Sequence, residues 1–355
     1  MKEVIKQRIS TFAQLGKTIK ALAETDTWPG FSCGLNREEF DSFRNLIETH
    51  HHSNGWFTPE NVRKALLAWS DALSEPNLTQ WLSPYDLDEN SQPKKVAVIC
   101  AGNIPMVGLH DIITVLVTGN IAQVKLSSDD NKLIPALIQI YENLNPEESG
   151  HVVFVDQKLA GHQAVIATGS NNTSRYFSYY FRDVPHVIRK SRTSVAVLSG
   201  EESAEDLRLL GKDIFDYFGL GCRNVSKVYL PQGYELNRIF EAIYEYNPVI
   251  NHNKYANNYD YNKAVWLLNR ENLLDNGFIL LKEDNRIASP TGALFYEFYD
   301  DNASLRNVLR EHQEDLQCIV GKNDVPFGSS QHPQLWDYAD HVDTIRFLSE
   351  LQKVG

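Results

Sequence analysis

Cysteine is scarce in this chain. Cys33, Cys100, Cys222 and Cys318 are scattered over 355 residues, too few for a disulfide scaffold, and no pair has the spacing of metal ligands. Basic residues are in deficit as well: 34 Lys and Arg against 46 Asp and Glu leave a net charge of −12 and a pI near 5.4. That balance excludes nucleic acid as the expected partner, because neutralising phosphates requires a basic surface. Long hydrophobic runs are missing. The most apolar stretch, Val96 to Val124, is broken by Pro105, Asp111 and several glycines, so it does not offer the ~20 uninterrupted apolar residues of a membrane span. The amino-terminal Met1-Lys-Glu-Val-Ile-Lys-Gln-Arg8 lacks the apolar core of a signal peptide, which reads as cytoplasmic for a bacterial source. A Gly-x-Gly-x-x-Gly fingerprint, an internal repeat and low-complexity segments are absent too.

What remains is an ordinary globular composition, 42% hydrophobic and 23% charged with 20 Gly and 14 Pro, long enough for two domains at roughly 150 residues each. Residues 1–75 read as a helical amino-terminal segment. Arg8–Leu22 and Asn36–Thr49 repeat apolar residues at three- and four-residue steps, and Thr58-Pro59 caps a helix over Val62–Leu73. The triplet His50-His51-His52 points its rings in different directions from a helix end, so it reads as a solvated linker and no metal site is assigned. Glu75–Lys95 reads as a linker or edge hairpin, after which short apolar runs alternate with helical patterns. Strands are expected at Lys95–Cys100, Ile121–Lys125, Val152–Val155, Ala164–Ala167, Ser194–Leu198, Val225–Leu230, Ala264–Leu267, Gly277–Leu281, Leu294–Tyr299 and Leu316–Val320. This alternation predicts an α/β protein with two doubly wound domains, over 76–218 and 219–330, followed by a carboxy-terminal segment over 331–355.

Five short stretches carry candidate chemistry. Cys100 and Cys318 lie in apolar strands and Cys33 in a loop, whereas Cys222 follows Gly219 and Gly221 at the expected domain junction, where clefts tend to form. Cys222 is therefore either a nucleophile or a small residue in a tight turn. Asn103, in Ala101-Gly-Asn-Ile-Pro105, sits past the carboxyl end of a strand, where its amide can polarise a carbonyl oxygen; a plain Gly-Asn-Pro turn explains it equally well. Lys125-Leu-Ser-Ser128 offers a cation and two hydroxyls, and Thr168-Gly-Ser-Asn-Asn-Thr-Ser174 leads from a strand into a helix amino terminus, which suits an anion. Arg189-Lys-Ser-Arg192 is either a phosphate-binding patch or a solvated turn.

In this order, the stretches resemble the aldehyde dehydrogenase superfamily. Ala101–Pro105 is similar to its Trp-Asn-Phe-Pro segment, Lys125–Ser128 to its Lys-Pro-Ser-Glu cofactor motif, Thr168–Ser170 to its Gly-Ser turn, and Val325-Pro-Phe-Gly328 to its late Pro-Phe-Gly segment, while Cys222 falls where the catalytic cysteine belongs. A finer resemblance, to the LuxC-like acyl-CoA reductases, rests on Ala101–Pro105, Arg189–Arg192 and the ending Leu335–Phe347. It implies an aldehyde-dehydrogenase-like fold with an NADP-binding domain over 76–218, a catalytic domain over 219–330, and a 331–355 segment returning to the oligomerisation and cofactor region. It also implies a homo-oligomer, with Thr79–Val96 as a candidate hairpin and His341–Leu351 as a second contact.

The implied activity is reduction of an acyl-CoA to an aldehyde with release of coenzyme A. Cys222 is the implied nucleophile and Asn103 the oxyanion donor; Lys125, Ser127, Ser128, Gly169 and Ser170 hold the cofactor; Arg189, Lys190 and Arg192 face substrate phosphates. Departures from the family pattern refine this. Oxidising members have a Glu that activates water, and Ile188-Arg-Lys-Ser-Arg192 has no carboxylate, which protects a thioester from hydrolysis. Ser128 replaces the Glu that binds a ribose hydroxyl, favouring NADPH over NADH. Two rival readings are aldehyde oxidation to the acid and a catalytically silent scaffold.

Overall fold

The computed structural model describes residues 2–87 and 92–353. The chain forms two compact units, one of residues 1–190 with 333–355 and the other of residues 191–332. The first opens with α1 (Glu3–Glu24), α2 (Arg37–Thr49), α3 (Pro59–Ala72) and α4 (Glu75–Leu82). Local chemistry sets their starts. Asn36 and Glu39 form a reciprocal capping box at α2, and the Thr58 hydroxyl accepts the Asn61 N–H at α3, with Pro59 in the first turn. On α1, Ile5, Ile9, Phe12, Leu15, Ile19 and Leu22 form one buried stripe, each side chain contributing about 1.5–3 kcal/mol of burial.

Next come β1 (Lys95–Ile99), α5 (Leu109–Val117), β2 (Ile121–Lys125), α6 (Leu133–Leu144), β3 (Val152–Phe154), β4 (Ala164–Thr168), α7 (Asn171–Tyr180) and β5 (His186–Arg189). The strands form a parallel sheet in the order β3-β2-β1-β4-β5. Val96, Ala97, Val98 and residues Ala164 to Ala167 are fully buried, as a sheet covered on both faces requires. Helix α1 packs on α3 and α6, where Phe12 stacks on Tyr141 at 4.6 Å and Arg8 pairs with Glu148 at 2.6 Å.

The second unit contains β6 (Thr193–Val197), α8 (Ala204–Phe215), β7 (Val225–Pro231), α9 (Asn237–Ala242), α10 (Asn253–Leu268), β8 (Leu274–Asp275), β9 (Leu280–Glu283), β10 (Ala293–Tyr299), α11 (Asn302–Glu311) and β11 (Leu316–Val320). Its sheet runs β11-β6-β7-β10-β9-β8, parallel except for β8 on β9. The chain then rejoins the first unit, where α12 (Thr344–Lys353) lies against α5. Tyr338 anchors the returning segment by accepting from the Trp81 indole N–H at 2.8 Å and bonding the Tyr85 hydroxyl at 2.8 Å. Among the described residues no helix is long and apolar enough to cross a membrane.

The α/β class and the two mostly parallel sheets agree with the sequence reading, while several details differ, among them β5 over His186–Arg189, where no strand was expected. The units divide at 190/191, not at 218/219, because β6 hydrogen-bonds to β7 and β11 of the second sheet, and the glycine-rich break before Cys222 is a turn inside that unit. Ala264–Leu267, expected as a strand, ends helix α10, whose buried Tyr255, Tyr259, Asn262 and Trp266 recur at helical spacing. Of the hairpin expected over Thr79–Val96, the first residues belong to α4 and the last to β1, and 88–91 lie outside the described residues. The histidine triplet is a short 3₁₀ turn in which His50 is buried and stacked on Phe57 at 5.1 Å, so it is not a solvated linker; among the described residues no cluster of three or more potential metal ligands occurs.

Candidate active site

In the first unit, neighbouring parallel strands bring three of the candidate stretches to one edge of the sheet. Strand β1 leads into Asn103, β2 ends at Lys125 ahead of Ser127 and Ser128, and β4 leads into Gly169 and Ser170. The chain order reverses between β1 and β4, which makes their carboxyl ends the crevice where doubly wound sheets take ligands. Asn103, Lys125, Ser128 and Ser170 are exposed there, with Ser127 and Gly169 half-buried.

These loops are tied to one another. A Cβ on Gly102 would come within 2.6 Å of the Ser127 hydroxyl, so only glycine lets the Asn103 turn settle on the β2 loop. The Cys100 N–H donates to the Lys125 carbonyl at 3.0 Å, and the Gly169 N–H to the Arg189 carbonyl at 3.2 Å. Ser170 caps α7, accepting the Thr173 N–H at 3.2 Å, so an anion-favouring helix amino terminus opens at the crevice. Met106 closes the Asn103 turn in the left-handed region at φ 62° with its side chain fully buried. Its N–H donates at 2.6 Å to Asp130, whose carboxylate is 1% exposed. Burial pushes Asp130 up to about 6 against the opposing influence of the Met106 and Leu133 N–H groups. Burial, with Asp111 and Asp130 nearby, also pushes the Cys100 thiol far up, which leaves it inert at neutral pH.

Arg189 departs from its expected role. It is buried at 5% exposure and ion-paired with the equally buried Asp111 of α5, so its charge is matched inside the first unit and does not face a substrate phosphate. Lys190 is exposed. Arg192 belongs to the second unit, where it donates to the Leu316 carbonyl at 2.9 Å and the Gln313 carbonyl at 3.4 Å. The basic run is thus divided between an internal ion pair, a surface lysine and a strand-end contact.

The second unit displays the cysteine. After α8, Tyr217, Phe218 and Gly219 take left-handed angles in succession, at φ 53°, 59° and 76°, a conformation costing of order 1–3 kcal/mol at each non-glycine position. Cys222 follows on an exposed turn, while Cys33 and Cys100 are buried and Cys318 is partly buried. The turn is clamped from below. Buried Asn224 accepts the Gly221 N–H at 2.8 Å and donates to the Asp213 and Asp216 carbonyls at 3.0 and 2.9 Å. Fully buried Ser194 donates to the Cys222 carbonyl at 3.0 Å and accepts the Cys318 N–H at 3.2 Å. The sheet register shifts at this point on both sides of β6, the kind of irregularity that re-aims residues beside active sites. Asp213 of α8 accepts the Gly328 and Ser330 N–H groups at 2.6 and 2.9 Å, which fastens Val325–Gly328 to the helix that leads to Cys222.

Asp130, Ser194, Asp213 and Asn224 are additions to the residues read from sequence. Their signal is weak in one dimension, since Asp, Ser and Asn next to turns read as solvated or capping groups.

No protein-family model matches the chain. Its structure superposes on that of an aldehyde dehydrogenase from Mycobacterium tuberculosis complexed with NAD+, with a TM-score of 0.57 and 14% identity over 92% of this chain and 76% of that one. The chain has the aldehyde dehydrogenase fold. An acetylating aldehyde dehydrogenase from Geobacillus thermoglucosidasius gives the same fold, with a TM-score of 0.57 and 10% identity over 90% of this chain and 76% of that one. In sequence, the chain is 26% identical over 305 residues to a long-chain acyl-protein thioester reductase from Aliivibrio fischeri. The match covers 78% of this chain and 60% of that relative, so the chain spans about three fifths of the relative's length. Fold and relative bear out the LuxC-like resemblance drawn from the motifs.

Proposed function

We propose that this protein is an acyl thioester reductase of the acyl-CoA type. The observation that carries the reading is the exposed Cys222 on a turn clamped by Asn224 and Ser194, in an aldehyde dehydrogenase fold whose 188–192 segment has no carboxylate to activate water. The Cys222 thiolate attacks the thioester carbonyl carbon. In the aldehyde dehydrogenase pattern that the motifs resemble, the Cys222 backbone N–H and the Asn103 amide are the donors to the developing oxyanion. The carbon–sulfur bond to coenzyme A breaks, coenzyme A leaves as a thiolate that takes up a proton, and an acyl group remains on Cys222. A reduced nicotinamide cofactor, when bound, supplies the hydride that converts this acyl group to an aldehyde. Collapse of the reduced adduct breaks its bond to Cys222 and regenerates the thiolate.

The crevice of the first unit fits such a cofactor chemically. Lys125 and the Ser127 and Ser128 hydroxyls suit a ribose and its phosphate, and Gly169-Ser170 at the start of α7 suits a pyrophosphate. The uncharged, exposed Ser128 leaves room for a 2′-phosphate, which favours NADPH. Of the basic run, Lys190 remains the candidate contact for a substrate phosphate.

Mass spectrometry after mixing with a series of saturated acyl-CoAs tests the reading. One acyl adduct on Cys222 is expected, lost on addition of NADPH with aldehyde formed, and absent in Cys222→Ser. The same acyl group presented as a thioester on a protein, the substrate in the relative's name, distinguishes the two donors. Steady acid production from aldehyde and NADP without coenzyme A would overturn the reading in favour of an oxidising enzyme.

A further inference from the structure

We propose that Asp130 is a positioning residue for Asn103, fixing the oxyanion-donating turn to the cofactor-binding loop by holding the Met106 N–H. The inference rests on the role of Asn103 in the reading above. It goes beyond that reading by assigning a task to a carboxylate outside the matched motifs.

Three observations converge on it. Asp130 is 1% exposed and has no cation bonded to it: Lys132 donates to Ser53 at 3.0 Å, and Arg189 pairs with Asp111. A carboxylate buried in this way is unfavourable unless its hydrogen bonds matter. The bond it makes, at 2.6 Å, goes to a residue 24 positions earlier, the single non-glycine left-handed residue of the Asn103 turn. A left-handed residue with a long side chain persists only where its surroundings over-determine it, and a charge-assisted bond to its N–H is the strongest restraint present there. Finally, the Asn103 turn also meets the β2 loop at Gly102, whose missing Cβ makes room for Ser127. Asp130 and Gly102 therefore hold the turn on the cofactor loop at two points on either side of Asn103.

The other carboxylate oxygen of Asp130, Oδ1, is buried with no hydrogen-bond partner among the described residues, so the bond to Met106 is what the buried carboxylate provides. Asp130→Ser shortens the side chain by one atom and withdraws its oxygen from the Met106 N–H, whereas Asp130→Asn keeps a side-chain oxygen at full length. The experiment compares both variants with wild type in two reactions of Cys222: acylation by the acyl-CoA that modifies wild type fastest, and alkylation by iodoacetamide, which develops no oxyanion. Asp130→Ser is expected to slow acylation by about tenfold to a hundredfold, the scale of an ångström-level misplacement, with alkylation unchanged and with Asp130→Asn restoring most of the acylation rate. Acylation of Asp130→Ser at the wild-type rate overturns the inference alone. A parallel fall in acylation and alkylation also overturns it, because a general loss of structure then accounts for the effect. Wild-type enzyme that no acyl thioester modifies overturns the proposed function and the inference together.

Discussion

Asp130 shows at the scale of one residue how a site of this kind is held at the expense of stability. Its carboxyl moves from its ordinary 3.8 to about 6 because burial penalises the charged form more than the Met106 and Leu133 N–H groups favour it. Between those values the folded protein binds a proton that the unfolded chain has released, so this group's contribution falls as pH rises through the window from about 4 to 6. Two pH units correspond to about 3 kcal/mol, present as a destabilisation at neutral pH and absent below pH 4. Asp130→Asn removes the titration. Urea unfolding should show the variant more stable than wild type at pH 7 by about 1–3 kcal/mol, with the difference vanishing near pH 4; a difference independent of pH would contradict the assignment. This residue was not legible in the sequence, where Asp129-Asp130 is a polar pair in a loop and nothing marks one as exposed and the other as buried. Cys222 was legible because glycines at 219 and 221 signalled a special turn. Arg189 was misread because one dimension cannot show Asp111 arriving from the next helix.

Among elements, the junction of α8 and β7 concentrates the most constraint. Three consecutive left-handed residues, the buried Asn224 plug and the Ser194 hydroxyl all act on the six residues from Tyr217 to Cys222. Asn224→Ala would leave the Gly221 N–H and the Asp213 and Asp216 carbonyls without this partner, at about 1–3 kcal/mol for each group that stays buried and unpaired. Chemical denaturation should register a loss of about 3 kcal/mol or more, and iodoacetamide should modify Cys222 more than about threefold faster or slower than in wild type as the turn loosens. Unchanged stability and reactivity would show that the plug is dispensable. Elements with a strong period or a cap were readable from the sequence: the stripe of α1, the Thr58-Pro59 start of α3 and the apolar strands β1, β2 and β4. Helix α10 was not. Its buried positions are Tyr255, Tyr259, Asn262 and Trp266, too polar to stand out beside the short run Ala264–Leu267, and their spacing had to compete with that apparent strand.

For the whole molecule, a net charge of −12 meets a reading in which both coenzyme A and NADPH are polyanions. The two fields act over different ranges. Repulsion from the overall charge is long-range and is screened as the Debye length shrinks from about 30 Å at 0.01 M salt to about 8 Å at 0.15 M. In that reading, attraction by Lys125, exposed at the end of β2, acts at contact distance and is screened far less. Association of NADPH, followed by the change in its fluorescence, is therefore expected to speed up with salt over this range by about tenfold or less, the low end of electrostatic steering effects. Lys125→Ala should lower affinity at every salt concentration while keeping the same positive slope, because it removes the contact and leaves the overall field almost unchanged. An association rate that falls with salt in wild type would mean that a concentrated positive field outweighs the acidic surface. Lys190, the other exposed cation of the candidate stretches in the first unit, would then be the residue to remove next.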